Sequence, residues 1–330
     1  MSNSRRMLGI VAILAALGGW SAAAQAQAQK LKVAFPAVSE TLYLPFLIAQ
    51  DKGWVNADAV QVSGDANAMR ALLSGTADVA IVGDFNVFSA AAEHASIRVI
   101  GSWQGVNDYQ MVVDKSIDSF QDLAGKAYAT TGPGAPPEEF SKLVLKKHGV
   151  DLSKVQFIAL GGGGHATLLQ AVIAGRAAGT LVTTSNALQG VNGGKVKVLT
   201  SISHEFPGVG YVYSVVRKDE LDDPAKRAAL QQFVSASMQA SRYIEAHPDD
   251  AANFAVQKYP ASDPAILKKT VLALTEEKVW GVNGGIEPPL VAATLQIARE
   301  TGLLKQDIAP SGLFDTQLVD AAMAKLGPMK

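Results

Sequence analysis

The chain has 330 residues, 48% of them hydrophobic and 18% charged, a globular balance with room for about two domains. Its formal charge of −1 excludes the basic face that a nucleic-acid partner requires, and no run of like charges marks a membrane-surface patch. With no cysteine, disulfides, thiolate metal sites, thiol catalysis and a lipid-anchoring cysteine are all excluded.

Residues 1–28 read as a secretory signal peptide. Arg5 and Arg6 open it, an apolar stretch runs from Met7 to Leu17, and small residues follow at A-x-A spacing. That stretch is too short for a comfortable permanent span. Cleavage fits after Ala26 or after Ala28, and the paired arginines admit a twin-arginine as well as a general export route. Without residues 1–28 the net charge becomes −3. The expected location is the periplasm, with no lipid anchor.

Beyond residue 28 strands and helices alternate. Strand "KLKVAF" (30–35) precedes a helix over 42–55, with Leu44, Leu47 and Ile48 on one face and Pro45 in the first turn. Strand 59–63 leads to a helix over 67–75, with Asn67 as its N-cap and Gly75 at its end. Strand 78–83, helix 87–95 and strand 97–103 follow. The pattern restarts with a short helix, turn and strand over 120–131. Helix 136–150, strand 155–160, helix 165–175, strand 179–184 and strand 195–202 complete it. Such alternation predicts mostly parallel sheets covered on both faces. "LLSGTADVAIVG" (72–83) returns as "VIAGRAAGTLVT" (172–183), and Asn86 returns as Asn186, so the chain reads as two lobes built alike. Strand-like "YQMVVDK" (109–115) and "YVYSVVRK" (211–218) lie at the seams, and 219–330 is largely helical.

In open α/β sheets ligands sit outside the carboxyl ends of the strands. That rule selects loops 37–43 and 83–86 of one lobe and 130–135, 161–165 and 183–186 of the other, facing a shared cleft. Backbone N–H groups at helix N-termini there could hold an anion without any arginine. Ser39 and Thr41 are either ligand hydroxyls or caps for the helix that follows. "GPG" (132–134) and "GGGG" (161–164) either bring amides close to a ligand or serve as permissive turns, and neither is a P-loop or a dinucleotide fingerprint. Asp84 either pairs with a ligand amine or accepts hydrogen bonds from nearby backbone. Tyr43, Phe85, Trp103 and Tyr109 either stack on a planar ligand or belong to the core. His165 opens a helix and is a candidate for the cleft. His94, His148, His204 and His247 read as scattered and exposed, and no pair has metal-ligand spacing. No G-x-S-x-G elbow or acid/base carboxylate couple stands out.

Four segments, "KVAFPAVSETLYLPFLIAQDKGW", "MRALLSGTADVAIVG", "DSFQDLAGKAYATTGPG" and "LGGGGHATLLQAVIAGRAAGTLVT", resemble periplasmic solute-binding proteins of the sulfonate, nitrate and taurine ABC-transporter group, the SsuA-like or NMT1/THI5-like family. The resemblance covers most of residues 30–218. It implies an α/β architecture of the type II periplasmic-binding-protein fold: two lobes joined by two crossover strands, with a ligand cleft between them. Lobe one is expected over 29–112 and again, with the C-terminal helices, over 213–330; lobe two is expected over 113–212. The implied site residues are Ser39, Glu40, Thr41, Gly83 and Asp84 from lobe one and Thr131, Gly132, Gly134, Thr184 and Ser185 from lobe two.

The implied function is capture of a small organic solute for an ABC permease and, through it, an ATPase, by a monomer with no cofactor and no enzymatic activity. Asp84-Phe85 departs from the small residues common after the third strand, and Ala177-Ala178 from the Val-Asp that often follows Gly-Arg. No arginine stands in the cleft loops, which fits an organic ligand with a planar part or an amine, taurine-like or heteroaromatic, better than a strongly charged sulfonate or nitrate. Two other readings stay open: a ligand sensor for a membrane receptor, and an enzyme on the same fold. The pyrimidine-synthesising relatives rely on a cysteine-rich motif that this chain lacks.

Overall fold

The structure is a computed structural model that describes residues 29–36, 41–133, 135–161, 164–302, 304 and 308–329. The expected signal peptide lies outside these residues.

The first sheet contains β1 (Leu31–Phe35), β2 (Ala57–Gln61), β3 (Val79–Gly83) and β4 (Ile97–Gln104). The second contains β5 (Tyr109–Asp114), β6 (Ala127–Thr130), β7 (Gln156–Ala159), β8 (Gly179–Thr183) and β9 (Val196–Ser201). The chain then returns, and β10 (Val212–Arg217) enters the first sheet between β3 and β4. The orders are β2-β1-β3-β10-β4 and β7-β6-β8-β5-β9, which are the same order with the exchanged strand in the same place. In each sheet only that exchanged strand runs antiparallel to its neighbours. The mostly parallel arrangement read from the sequence is therefore present twice, each time with one strand donated from across the seam.

Helices α1 (Leu44–Asp51), α2 (Asp65–Leu73) and α3 (Asp84–Ala92) connect the first sheet; α4 (Pro136–Lys147), α5 (Gly164–Ile173) and α6 (Thr184–Asn192) connect the second. β3 and β8 begin and end 100 residues apart, as do α3 and α6. α4 starts on Pro136 and Pro137, carries Glu138 and Glu139 in its first turn and ends on Lys146 and Lys147, the charge order its dipole favours. One cap differs from expectation. α2 begins at Asp65 after Gly64, which adopts φ 78°, so Asn67 lies inside the helix with Nδ2 donating to Ser63 O at 2.5 Å.

α7 (Ile202–Glu205) and α8 (Lys218–Asp222) are short, and α9 (Pro224–Ala246), α10 (Pro248–Lys258) and α11 (Pro264–Glu276) form a helical layer. α12 (Pro288–Glu300), α13 (Pro310–Leu313) and α14 (Gln317–Leu326) follow. A core of Leu44, Ile48, Ala240, Ile244, Leu267, Val271 and Trp280 joins α1 to α9 and α11. α11 also packs on α6, so the tail touches both lobes. The 280–285 turn lies directly on the end of β4: a Cβ on Gly281 would sit 2.0 Å from Ser102 O, which only glycine avoids.

Candidate functional site

In lobe one, β3 passes into α3 without a loop, so Asp84 stands at the carboxyl end of the sheet. Its N–H donates to Tyr211 O at 3.1 Å, and its Oδ1 accepts from Phe85 N–H at 2.9 Å. Asp65, at the start of α2, accepts through Oδ2 from Gly83 N–H (3.0 Å) and Asn86 Nδ2 (3.1 Å). A Cβ on Gly83 would lie 2.9 Å from that oxygen, so the absent side chain lets the carboxylate approach.

Lobe two repeats the device with other chemistry. β8 passes directly into α6, and His165, at the start of α5, accepts from Thr183 N–H through Nδ1 at 3.0 Å. Because Nδ1 accepts, the proton of the neutral ring is on Nε2, a donor. Asn186 Nδ2 donates to Thr183 Oγ1 at 2.9 Å. Thr184 Oγ1 donates to Asp108 O at 2.8 Å and receives a hydrogen bond from Gln110 Nε2 at 3.1 Å.

Between the lobes the two crossing segments meet, with Asn107 N–H donating to Val209 O at 2.9 Å. The rings of Tyr109 and Tyr211 lie 5.0 Å apart at 64°. Tyr109 also meets His165 at 5.1 Å and Phe140 at 6.4 Å, while Phe85 reaches from α3 to Phe140 at 5.9 Å. At one end of both sheets, then, a carboxylate, a pair of phenols and an imidazole face one another.

Burial dominates the titration of these groups. It pushes Asp84 up to about 8, opposed by the Phe85 N–H and reinforced by the charge of Asp65. Burial also pushes Asp108 up to about 7, with Glu277 adding repulsion, and raises Asp65. His165 is held down at about 4 by desolvation, so its ring is neutral at pH 7. Burial raises both tyrosines, which stay protonated. Among the described residues no lysine or arginine pairs with Asp65, Asp84 or Asp108; Lys142 is held by Glu138 at 2.6 Å and Glu139 at 3.0 Å, and Arg217 by Glu220 at 2.6 Å.

Of the residues expected at the site, Gly83, Asp84, Phe85, Tyr109, His165 and Thr184 come together here. Ser185 lies half-buried in the first turn of α6, and Thr131 and Gly132 are half-buried beyond β6. Thr41 is buried in the turn before α1, whose cap residue is Tyr43 rather than Thr41. The Tyr43 ring packs edge-on against Phe35 at 4.4 Å. Trp103 sits in the core of lobe one, stacked on Phe35 at 5.7 Å and flanked by Phe46 and Phe233, with its buried Nε1 lacking a partner. Ser39, Glu40 and Gly134 lie outside the described residues. His148 is not exposed as expected: it stacks on Phe120 at 3.7 Å and lies 3.0 Å from Glu205.

Asp65, Asp108 and Tyr211 escape sequence reasoning. The signal for Asp65 was present, because the 100-residue offset that pairs Asn86 with Asn186 also pairs Asp65 with His165. Asp108 and Tyr211 each directly precede an exchanged strand, a relation only the topology reveals.

Solved structures share this architecture. A Bordetella bronchiseptica protein is 20% identical, with TM-score 0.71 over 91% of this chain and 98% of its own. The ligand-binding component of an ABC-type import system from Staphylococcus aureus is 14% identical, with TM-score 0.71 over 89% and 99%. The periplasmic aliphatic sulphonate binding protein SsuA of Escherichia coli is 13% identical, with TM-score 0.68 over 86% and 91%. These likenesses show the periplasmic-binding-protein fold. No curated protein matches the chain in sequence. Residues 40–251 match the family described as NMT1/THI5 like, and the chain belongs to that family.

Proposed function

We propose that this chain is the extracytoplasmic solute-binding component of an ABC importer. It captures a small organic solute between its lobes in the periplasm and, as a monomer, delivers it to a permease and its ATPase. The observation that carries this reading is the convergence of two equivalent strand-to-helix junctions, 83–86 and 183–186, on the tyrosines of the crossing segments. A solute touching Asp84 and Phe85 on one side and His165 and Thr184 on the other gains contacts only when the lobes close. It therefore enriches the closed state by binding it more tightly. That surface, made from both lobes, is what a permease reads. No step in this cycle breaks a bond in the solute.

The test is thermal denaturation of ligand-stripped protein against alkanesulfonates, taurine, nitrate, aromatic carboxylates, aminopyrimidines and flavins. A ligand at about 100 times its dissociation constant stabilises by roughly 2.7 kcal/mol. The hit should be recovered chemically unchanged, and its effect should weaken in Asp84→Ala while that variant still melts cooperatively. An unchanged response would remove Asp84 from the site, and turnover of the hit would replace the binding reading with an enzymatic one.

A further inference from the structure

We infer that the cleft selects a solute bearing a positively charged nitrogen group, an ammonium or an amidinium, over a sulfonate or other anion. The inference rests on the binding reading above and specifies its ligand. An anion in a fold of this kind is held by the free N–H groups at helix starts. Here the first free N–H of α3 carries a carboxylate already. The Asp84 carboxylate accepts Phe85 N–H at the start of α3, and at the start of α6 the Thr184 hydroxyl is spent on the Asp108 carbonyl. Asp65 takes Gly83 N–H as well. A sulfonate arriving here meets an occupied donor and three carboxyl groups, none of which offers it positive charge.

A second observation points the same way. Asp108 is 2% exposed, and its Oδ1 has no hydrogen-bond partner. A buried carboxylate oxygen left unpartnered is costly, and a cation supplies what it lacks. Lysines of the same lobe are engaged elsewhere, Lys142 with Glu138 and Glu139 and Lys147 with Glu205. No side chain among the described residues neutralises the cluster, so the charge is available to a solute. Phe85, Tyr109 and Tyr211 add aromatic surface against which a cation is held favourably.

The experiment compares charge at constant shape: benzylamine and benzamidine against benzoate and benzenesulfonate, and butylamine against butanesulfonate, each at millimolar concentration with ligand-stripped protein. Melting shifts are read together with the protons released or taken up in calorimetry. The cations should raise the melting temperature and release protons, because they favour ionised Asp84 and Asp108. Asp84→Asn and Asp108→Asn should each weaken the amine by roughly ten- to hundredfold, the worth of a hydrogen bond to a charged group. Asp108→Asn should also melt higher than the parent without any probe, which identifies its folding as intact.

Stabilisation by the sulfonates with proton uptake, lost in His165→Ala, overturns the inference and leaves the cleft reading standing. Stabilisation by amines that survives both asparagine variants overturns it too, placing the cation elsewhere. Silence toward every probe overturns it and leaves the cleft reading to be decided by the broader solute panel above.

Discussion

The two lobes share a backbone plan and differ in the chemistry placed on it. In both, the last N–H of the strand before the switch (Gly83 or Thr183) is capped by the first turn of the preceding helix, and the next helix starts at once. Lobe one uses Asp65 as that cap and puts Asp84 at the helix start; lobe two uses His165 and Thr184. The residue before each exchanged strand contacts the opposite side of the same junction. Tyr211 O receives Asp84 N–H, and Asp108 receives Thr184. The need to satisfy a buried N–H fixes the geometry, while the identity of the acceptor sets the charge. One plan therefore yields a junction capped by a carboxyl in lobe one and by an imidazole in lobe two.

The pH dependence of stability separates the two halves most strongly. Asp84 and Asp108 have folded values raised above the ordinary 3.8, so each contributes most when protonated. Their stability is lost as pH rises, between about 4 and about 8 for Asp84 and about 4 and about 7 for Asp108. Each changes unfolding free energy by about 1.4 kcal/mol per pH unit inside its window. His165 opposes them, because its folded value is depressed from 6.5 to about 4: its contribution is present above 6.5 and lost as pH falls toward 4. In urea titrations at stepped pH, Asp84→Asn should flatten the fall between pH 4 and 8 and His165→Gln should steepen it below 6.5. Parallel profiles for parent and both variants would erase the distinction between the lobes.

Trp103 tests whether lobe one contributes more than charge. Its ring is enclosed by Phe35, Phe46 and Phe233, all buried. Trp103→Ala should cost about 3–5 kcal/mol in denaturant unfolding, the range for deleting a buried aromatic. A loss below about 1 kcal/mol, with solute binding abolished, would move Trp103 from the core to the ligand surface.

These assignments show which features a sequence carries openly. The strand and helix order was legible, because apolar runs, Gly75 and Gly175 after helices, and Pro136-Pro137 before one are local signals. The repeat was legible because both lobes bury the same small apolar residues in the same turn. Asp84 and His165 could be placed because strand ends are where such sheets present side chains. Trp103 could not be sorted, since an aromatic beside a strand end reads alike whether it faces core or cleft. Asp108 and Tyr211 were invisible for a different reason: their importance comes from strands exchanged between sheets. Asn67 lost the cap to Gly64 because a φ of 78° there turns the chain three residues earlier than its side-chain chemistry suggests.

The smallest effect bears most directly on the comparison, because it asks whether the two caps are equivalent. His165→Ala leaves Thr183 N–H without its acceptor, a neutral bond worth about 0.5–1.5 kcal/mol. Asp65→Asn keeps an oxygen for Gly83 N–H and removes a charge that Asp84 feels, so stability should change by less than about 1 kcal/mol. The variants should part company in the carboxyl titration of Asp84, followed by carbon NMR. Asp65→Asn should lower its midpoint from about 8, because one source of repulsion is gone, whereas His165→Ala should leave it in place. Equal movement in both would mean that Asp84 senses the closure of the two lobes rather than its own neighbour, and the charge of the cleft would then belong to the closed state as a whole.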